Sequence, residues 1–215
     1  MNPSVSGLTV GAFQENCYRV ADETAGVSVL IDPGAEADRL ISVIERSGTE
    51  PTAIWLTHAH LDHVGAIAGL ERRWRLPIYL HPLDEPLYSM ASRQAALYGL
   101  PFEQPPAADR TLGDGDVLEV GRFRFSVMHA PGHAPGHVVI HGHGLAFVGD
   151  CLFAGSIGRT DLPLSNPRDL AESLDRIVRL PEDTVIYPGH GPPTTVGTEA
   201  RSNPFLTGVA RIVGA

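Results

Sequence analysis

Thr57-His58-Ala59-His60-Leu61-Asp62-His63 sets three imidazoles and a carboxylate within six residues, directly after the apolar run Ala53–Leu56. A hydrophobic core has no use for such a group, since buried polar atoms without partners are costly. Imidazole and carboxylate are ligands for divalent cations. On a loop, this spacing turns His58 and His60 one way and Asp62 and His63 another, so one segment serves two ions. An open catalytic zinc takes three protein ligands plus water, so the cluster needs partners from elsewhere. His133 sits in Ala130-Pro131-Gly132-His133-Ala134-Pro135-Gly136, Asp150 follows Leu145–Val148 through Gly149, and His190 lies in Gly189-His190-Gly191. Each is a polar residue that ends an apolar run.

The elements that must position these residues are legible as alternating and helical patterns. Leu8–Val10, Asn16–Val20 and Val27–Ile31 predict strands that open the chain antiparallel, the third ending at Asp32-Pro33-Gly34. Ala37–Ile44 has helical spacing, and Ala53–Leu56 reads as a buried strand that delivers Thr57-His58. Helices are predicted over Gly65–Trp74 and, begun by a proline, over Pro82–Tyr98, with the strand Ile78–Leu80 between them. Val117–Val120, Phe123–Met128, Val138–His141 and Leu145–Val148, punctuated by glycines, predict a second sheet. Asn166-Pro167 caps a helix to about Val178, and Thr184–Tyr187 is the last clear strand. Pro101–Pro106 reads as a loop without a change of composition across it, so residues 1–215 are expected to form a single domain.

Bulk properties exclude several classes. With 215 residues, 43% hydrophobic and 19% charged, the chain is long enough to bury a core and carries no mark of disorder. A formal charge of -9 disfavours nucleic acid and acidic membrane surfaces as partners. No apolar run approaches a membrane span, and Met1-Asn2-Pro3-Ser4-Val5 lacks the features of a leader. Cys17 and Cys151 form neither a disulfide framework nor a Cys-x-x-Cys site, which predicts a reducing, cytoplasmic setting.

The ordered series H-x-H-x-D-H at 58–63, His133, Gly149-Asp150 and Gly189-His190-Gly191 resembles the metallo-β-lactamase superfamily, most closely its glyoxalase II-like hydrolases. Asn16-Cys17-Tyr18, Asp32-Pro33-Gly34, Phe153–Asp161 and Asn203-Pro204-Phe205 are similar to the small, single-domain members, so the resemblance covers almost the whole chain. It implies an α/β fold, a four-layer αββα sandwich with a two-metal site at the mouth of its sheets. By position, it implies that His58, His60 and His133 hold one metal and Asp62, His63 and His190 the other, with Asp150 bridging. Asp62 and Asp150 are then the catalytic carboxylates, and Asp32 orients the ligand loop without ligating. The implied cofactors are two divalent ions, zinc first, with iron and manganese also suited. Two such ions roughly 3.5 to 4 Å apart lower the pKa of a bridging water toward about 7, and the hydroxide is the nucleophile. The implied substrate is a small-molecule thioester such as an acyl-glutathione, S-lactoylglutathione being the reference, with Arg159, Arg201 and Asn203 as candidates to line its pocket.

Other readings share the scaffold. Persulfide dioxygenases have the fold and a Gly-Arg-Thr-Asp element like Gly158–Asp161, and would use His58, His133 and Asp150 on one iron; the full second set of ligands favours two metals. A non-catalytic metal-binding protein is a third reading, weakened because none of the ligands is missing. Lactonase, phosphodiesterase and β-lactamase activities rank lower on the Gly155–Asp161 stretch. The larger thioesterases complete their glutathione clamp with a helical domain that would follow Asn203-Pro204-Phe205, so a smaller or different thioester is also expected to fit. His137 reads as a turn residue, and Cys17 as core. Cys151 reads as turned away from the metals, because neighbours on an extended chain face opposite ways. His81, His129, His141 and His143 are given no role.

Overall fold

The computed structural model describes residues 2–212 and residue 214. Alternation at the start of the chain forms an antiparallel meander of β1 (Ser4–Val10), β2 (Glu15–Asp22) and β3 (Val27–Ile31). Helix α1 (Ala37–Ser47) ends at Gly48, whose left-handed φ of 76° suits glycine, and β4 (Glu50–Trp55) follows. Short helices α2 (Leu61–Val64) and α3 (Ile67–Trp74) lead to β5 (Ile78–Leu80). After a 3-10 turn at Pro82–Asp84 come α4 (Glu85–Ser89), α5 (Ala91–Leu97) and β6 (Arg110–Thr111). Strands β3 to β6 pair in parallel and give the first sheet the order β1-β2-β3-β4-β5-β6.

The second sheet begins with the antiparallel strands β7 (Val117–Val120), β8 (Phe123–His129), β9 (Val138–Gly142) and β10 (Leu145–Gly149). A small hairpin of β11 (Leu152–Phe153) and β12 (Ser156–Ile157) precedes α6 (Pro167–Ile177), which Asn166 caps by accepting the N–H of Arg168 at 3.0 Å. Strand β13 (Val185–Pro188) then joins β10 in parallel, and β14 (Thr194–Thr195) precedes α7 (Val196–Ser202). The order is β14-β13-β10-β9-β8-β7.

Period-two alternation sorts the apolar side chains into three buried clusters and so creates four layers. Leu30, Ile54 and Ile78 point outward from the first sheet and pack with Leu40, Ile44, Ile67 and Leu70 of α1 and α3. Val29, Ile31 and Trp55, their neighbours in sequence, face inward against Phe125, Val127, Ile140 and Phe147 of the second sheet. Val139, Ala146 and Ile186 cover the far side of that sheet and receive Leu170, Leu174 and Ile177 of α6. Helix, sheet, sheet, helix is therefore the expected αββα sandwich. Among the described residues no helix is long and apolar enough to cross a membrane.

Some expected boundaries shift for local reasons. The single helix expected over Pro82–Tyr98 is broken into the 3-10 turn, α4 and α5: Pro82 and Pro86 lack the N–H that a continuous helix needs, and Met90 (φ −98°, ψ 3°) interrupts the rest. Asp62 and His63 lie on α2 and not on an extended loop, the helix starting after His60 (φ −66°, ψ 151°). Strands β6, β11, β12 and β14 have two residues each, too few to show a period.

Two contacts between the sheets yield predictions. Phe125 is fully buried, its ring centroid 6.0 Å from that of Trp55 across the sandwich. Phe125→Ala is expected to cost about 3–5 kcal/mol in a urea titration, and a loss under 1 kcal/mol would contradict this packing. Asp22, at the end of β2, accepts from Arg122 Nε (3.0 Å) and Nη2 (2.9 Å) in the β7–β8 turn, and these bonds hold its carboxyl well below the usual range. A depressed folded-state pKa gives stability that is present above the unfolded value of about 3.9 and lost as pH falls through the folded one. Asp22→Asn is therefore expected to be less stable at pH 7 and to show a shallower acid limb than the parent; superimposable pH profiles would contradict it.

Candidate metal centre

Five segments leave the sheets at one edge: β3 into Asp32, β4 into Thr57–His60, β8 into Ala130–Gly136, β10 into Asp150 and β13 into Gly189–Gly191. They emerge together because β3 is parallel to β4 and β10 to β13, while β8 and β10 both oppose β9. The two sheets are joined there by hydrogen bonds. Val138 N–H donates to Thr57 O (2.7 Å), Asn16 N–H to Gly189 O (2.7 Å) and the Tyr18 hydroxyl to Pro188 O (2.7 Å). The Asn16-Cys17-Tyr18 motif thus holds the turn that carries His190.

The donor atoms of His58, His60 and His133 converge within 4.8 Å of one another, as do those of Asp62, His63 and His190. Asp32, His58 and His63 form a third such group. Asp150 stands between the first two, with Oδ1 3.5 Å from His63 Nε2 and Oδ2 3.5 Å from both His133 Nε2 and His190 Nε2.

The orientation of each ring follows from what its Nδ1 touches. Thr57 Oγ1 donates to Asp32 Oδ2 (2.6 Å), so toward His58 Nδ1 (3.1 Å) it can only accept. His63 Nδ1 donates to Asp32 Oδ2 (3.1 Å), His133 Nδ1 to Arg159 O (2.9 Å) and His190 Nδ1 to Phe13 O (3.1 Å). In these four rings Nδ1 is held by a group outside the cluster, and Nε2 is turned into it. His60 is reversed: its Nδ1 lies 2.9 Å from His133 Nε2. His58 Nε2, His63 Nε2 and Asp150 Oδ1 are buried without a hydrogen-bond partner. Orphaned lone pairs on imidazole and carboxylate are what a divalent cation satisfies, so the residues present fit the implied metals.

Residues outside the ligand motifs fix this geometry. Asp32 adopts a left-handed φ of 50°, uncommon outside glycine and tolerated by Asp, and its Oδ1 takes the Thr57 N–H (2.7 Å). Asp84, fully buried, accepts from Ala59 N–H (2.9 Å) and Gly136 N–H (2.5 Å) and so ties the loop of His58 and His60 to that of His133. Burial pushes its carboxyl up to about 6 against those two bonds. His81 and His129 stack with centroids 4.2 Å apart and link the same two regions. His137 is more than the turn residue expected: its Nε2 accepts the Asp150 N–H (3.0 Å) and its ring stacks on His58 at 4.8 Å. A Cβ on Gly149 (φ 45°) would meet that Nε2 at 2.7 Å, which explains glycine before Asp150. Glu15 went unforeseen; both its carboxylate oxygens are buried without partners, one 3.9 Å from His63 Nδ1, and burial raises its pKa well above the usual range.

The electrostatics divide the rings. Burial pushes His58 well below its ordinary value, and burial together with His133 pushes His60 down to about 3. For His63 burial acts in the same direction, but Asp150 and Asp62 outweigh it and hold the ring's pKa well above normal. His190 rises to about 9, burial being outweighed by its hydrogen bonds to Asp150 and Asp62. Burial likewise opposes ionisation of Asp62 and Asp150, and His63 and His190 overcome it and keep both below the carboxylate range. Positive charge is demanded at this spot.

Of the three candidates for the substrate pocket, only Arg159 lines the cleft above the cluster. Arg201 pairs with Glu182 (3.0 Å) on an exposed face, and Asn203 is fully buried, donating to Ser156 O (3.0 Å) and Glu199 Oε2 (2.9 Å). These bonds hold its side chain out of reach of a ligand, and its backbone N–H caps α7 by donating to Glu199 O (2.9 Å). Cys151 is fully buried, its Sγ 3.4 Å from Ala130 O and 3.4 Å from His137 Nδ1, turned away from the cluster as expected.

Comparison with known proteins identifies the family. Hydroxyacylglutathione hydrolase GloC of Haemophilus influenzae is 40% identical over 204 residues, spanning 93% of this chain and 96% of that protein. TTHA1623, solved in a di-iron-bound form, superposes with a TM-score of 0.87 at 48% identity, covering 94% of this chain and 100% of that one. BLEG-1 B3 metallo-β-lactamase gives a TM-score of 0.89 at 38% identity, covering 95% and 100%. Residues 10–190 match the metallo-β-lactamase superfamily profile, and the chain belongs to that superfamily as one of its metallo-hydrolases.

Proposed function

We propose that this protein is a glyoxalase II-like thioesterase that hydrolyses acyl-glutathione or a related thioester. His58, His60 and His133 would hold one divalent ion and Asp62, His63 and His190 a second, with Asp150 shared between them. The observation that carries this reading is the convergence of two sets of imidazole and carboxylate donors beneath an open cleft, three of their atoms (His58 Nε2, His63 Nε2 and Asp150 Oδ1) being buried without a partner. The identity to GloC supports the thioester as substrate.

Divalent ions bound there, zinc or iron, supply Lewis acidity toward the scissile carbonyl and lower the pKa of the attacking water. The chain's own part is to orient and to manage protons. Asp62 faces the cleft with its side chain 19% exposed and Oδ2 3.3 Å from His190 Nε2, placed to take the proton released by the attacking water. A thiolate, with a pKa near about 8.5 in its free thiol, leaves without a strong general acid, which suits a site whose cleft-facing carboxylates are both held ionised. No side-chain nucleophile is required. Cys17 and Cys151 are buried and unpaired, and burial raises both thiols, in keeping with a reducing, cytoplasmic setting.

A second reading, persulfide dioxygenase on one iron, draws on Gly158–Asp161, because the carbonyl of Arg159 anchors His133. S-lactoylglutathione hydrolysis run beside oxygen uptake with glutathione persulfide separates the two. Hydrolysis without uptake is expected; uptake without hydrolysis would replace the thioesterase with the dioxygenase. Removal of metal by a chelator is expected to abolish hydrolysis and readdition to restore it, while full activity in metal-free protein would refute the mechanism. Asp32→Ala, which frees the His63 ring and the Thr57 loop, is expected to weaken metal binding about 10–100-fold in a chelator competition. Unchanged affinity would show that Asp32 does not position the ligands.

A further inference from the structure

The cleft above the metal ligands has a volume of about 480 Å³, in the range of small-molecule pockets, about 300–1,000 Å³. Its floor includes His60, Asp62, His133, Asp150 and His190. Its walls are a different chemistry: Phe13, Leu97, Tyr98, Phe153, Ile157 and Leu162 all face it. Phe13, from the β1–β2 turn, and Tyr98, after α5, meet edge to face with centroids 5.6 Å apart, and Phe153 lies 6.0 Å from the His190 ring. Leu97 is 83% and Tyr98 60% exposed. Large apolar side chains held open to water around a site mark a surface made for an apolar ligand.

The cleft offers little to a charged ligand. Arg159 is the only arginine among the described residues that line it, and the chain contains no lysine. Its guanidinium is already engaged by Asp161 through Nε (2.6 Å) and Nη2 (2.7 Å). A glutathionyl group, with two carboxylates and an ammonium, finds no matching set of free charges on these walls, so the apolar space falls to the other side of the scissile bond. A lactoyl group, small and hydroxylated, would leave most of it unfilled.

We propose that the preferred substrates are thioesters with a medium-chain or aromatic acyl group, which the wall of Phe13, Leu97, Tyr98, Phe153, Ile157 and Leu162 takes in while the thiol moiety points to solvent. This rests on the thioesterase reading and names the substrate class for the same site. Each methylene buried in the cleft should raise kcat/KM about fourfold, from the usual transfer free energy of a CH2 group.

The test uses two readouts on the full, metal-loaded chain. The first is kcat/KM for acetyl-, butyryl-, hexanoyl- and lactoyl-glutathione, with the thiol held constant. The expected gain from acetyl to hexanoyl is on the order of 100-fold, and a flat series would overturn the proposal. The second is binding, without turnover, of the thioethers S-hexylglutathione and S-methylglutathione by calorimetry, on the parent and on Leu97→Asp. That position is exposed, so the fold tolerates the change. Tighter binding of the hexyl compound that Leu97→Asp abolishes supports the apolar wall; equal binding of the two thioethers overturns it. If the hexyl compound binds tighter yet no thioester is cleaved, the proposed activity fails while the apolar ligand class stands.

Discussion

The convergence of imidazole and carboxylate groups on one small space governs this structure. Four histidine rings are held at Nδ1 by Thr57, Asp32, the Arg159 carbonyl and the Phe13 carbonyl, so each Nε2 is left facing inward. In the same space stand Asp62 and Asp150, held ionised by His63 and His190. Gathering so many polar groups in a largely buried space is expensive unless a cation is shared among them. The remaining features of this end of the molecule can be understood as the means of keeping those groups there.

Those means are hydrogen bonds between the sheets and carboxylates outside the two proposed ligand sets. Parallel pairing in each sheet brings five loops to one edge, and the bonds from Val138, Asn16 and Tyr18 close the sheets against each other beneath them. Asp32 and Asp84 each hold the loop that follows β4, one at Thr57 and the other at Ala59. Asp84 also reaches Gly136, so the loops of His58, His60 and His133 are set by a shared carboxylate. Support of this kind orients the side chains that would ligate a metal.

The donors themselves were legible in the sequence, because imidazoles and carboxylates at the ends of apolar strands have no other physical use at such density. Their ring orientations were not. His190 is anchored 177 positions away at Phe13, and His133 at Arg159, contacts that only folding creates. Asp84 escaped notice because a lone aspartate after a proline reads as an ordinary helix start, and its partners lie 25 and 52 residues distant. The strands and long helices followed from their periods, whereas Pro86 and Met90 broke the helix expected over Pro82–Tyr98. Arg201 and Asn203 carried the right chemistry for a ligand but fold into a salt bridge and a helix cap.

The central claim is that two sets of donors, joined by Asp150, serve two ions. Elemental analysis of metal per chain, on protein saturated with a divalent ion and freed of excess, tests it most directly, with His190→Ala measured in parallel. The account predicts two ions on the parent and one on His190→Ala. One ion on the parent, unaltered by His190→Ala, would contradict it.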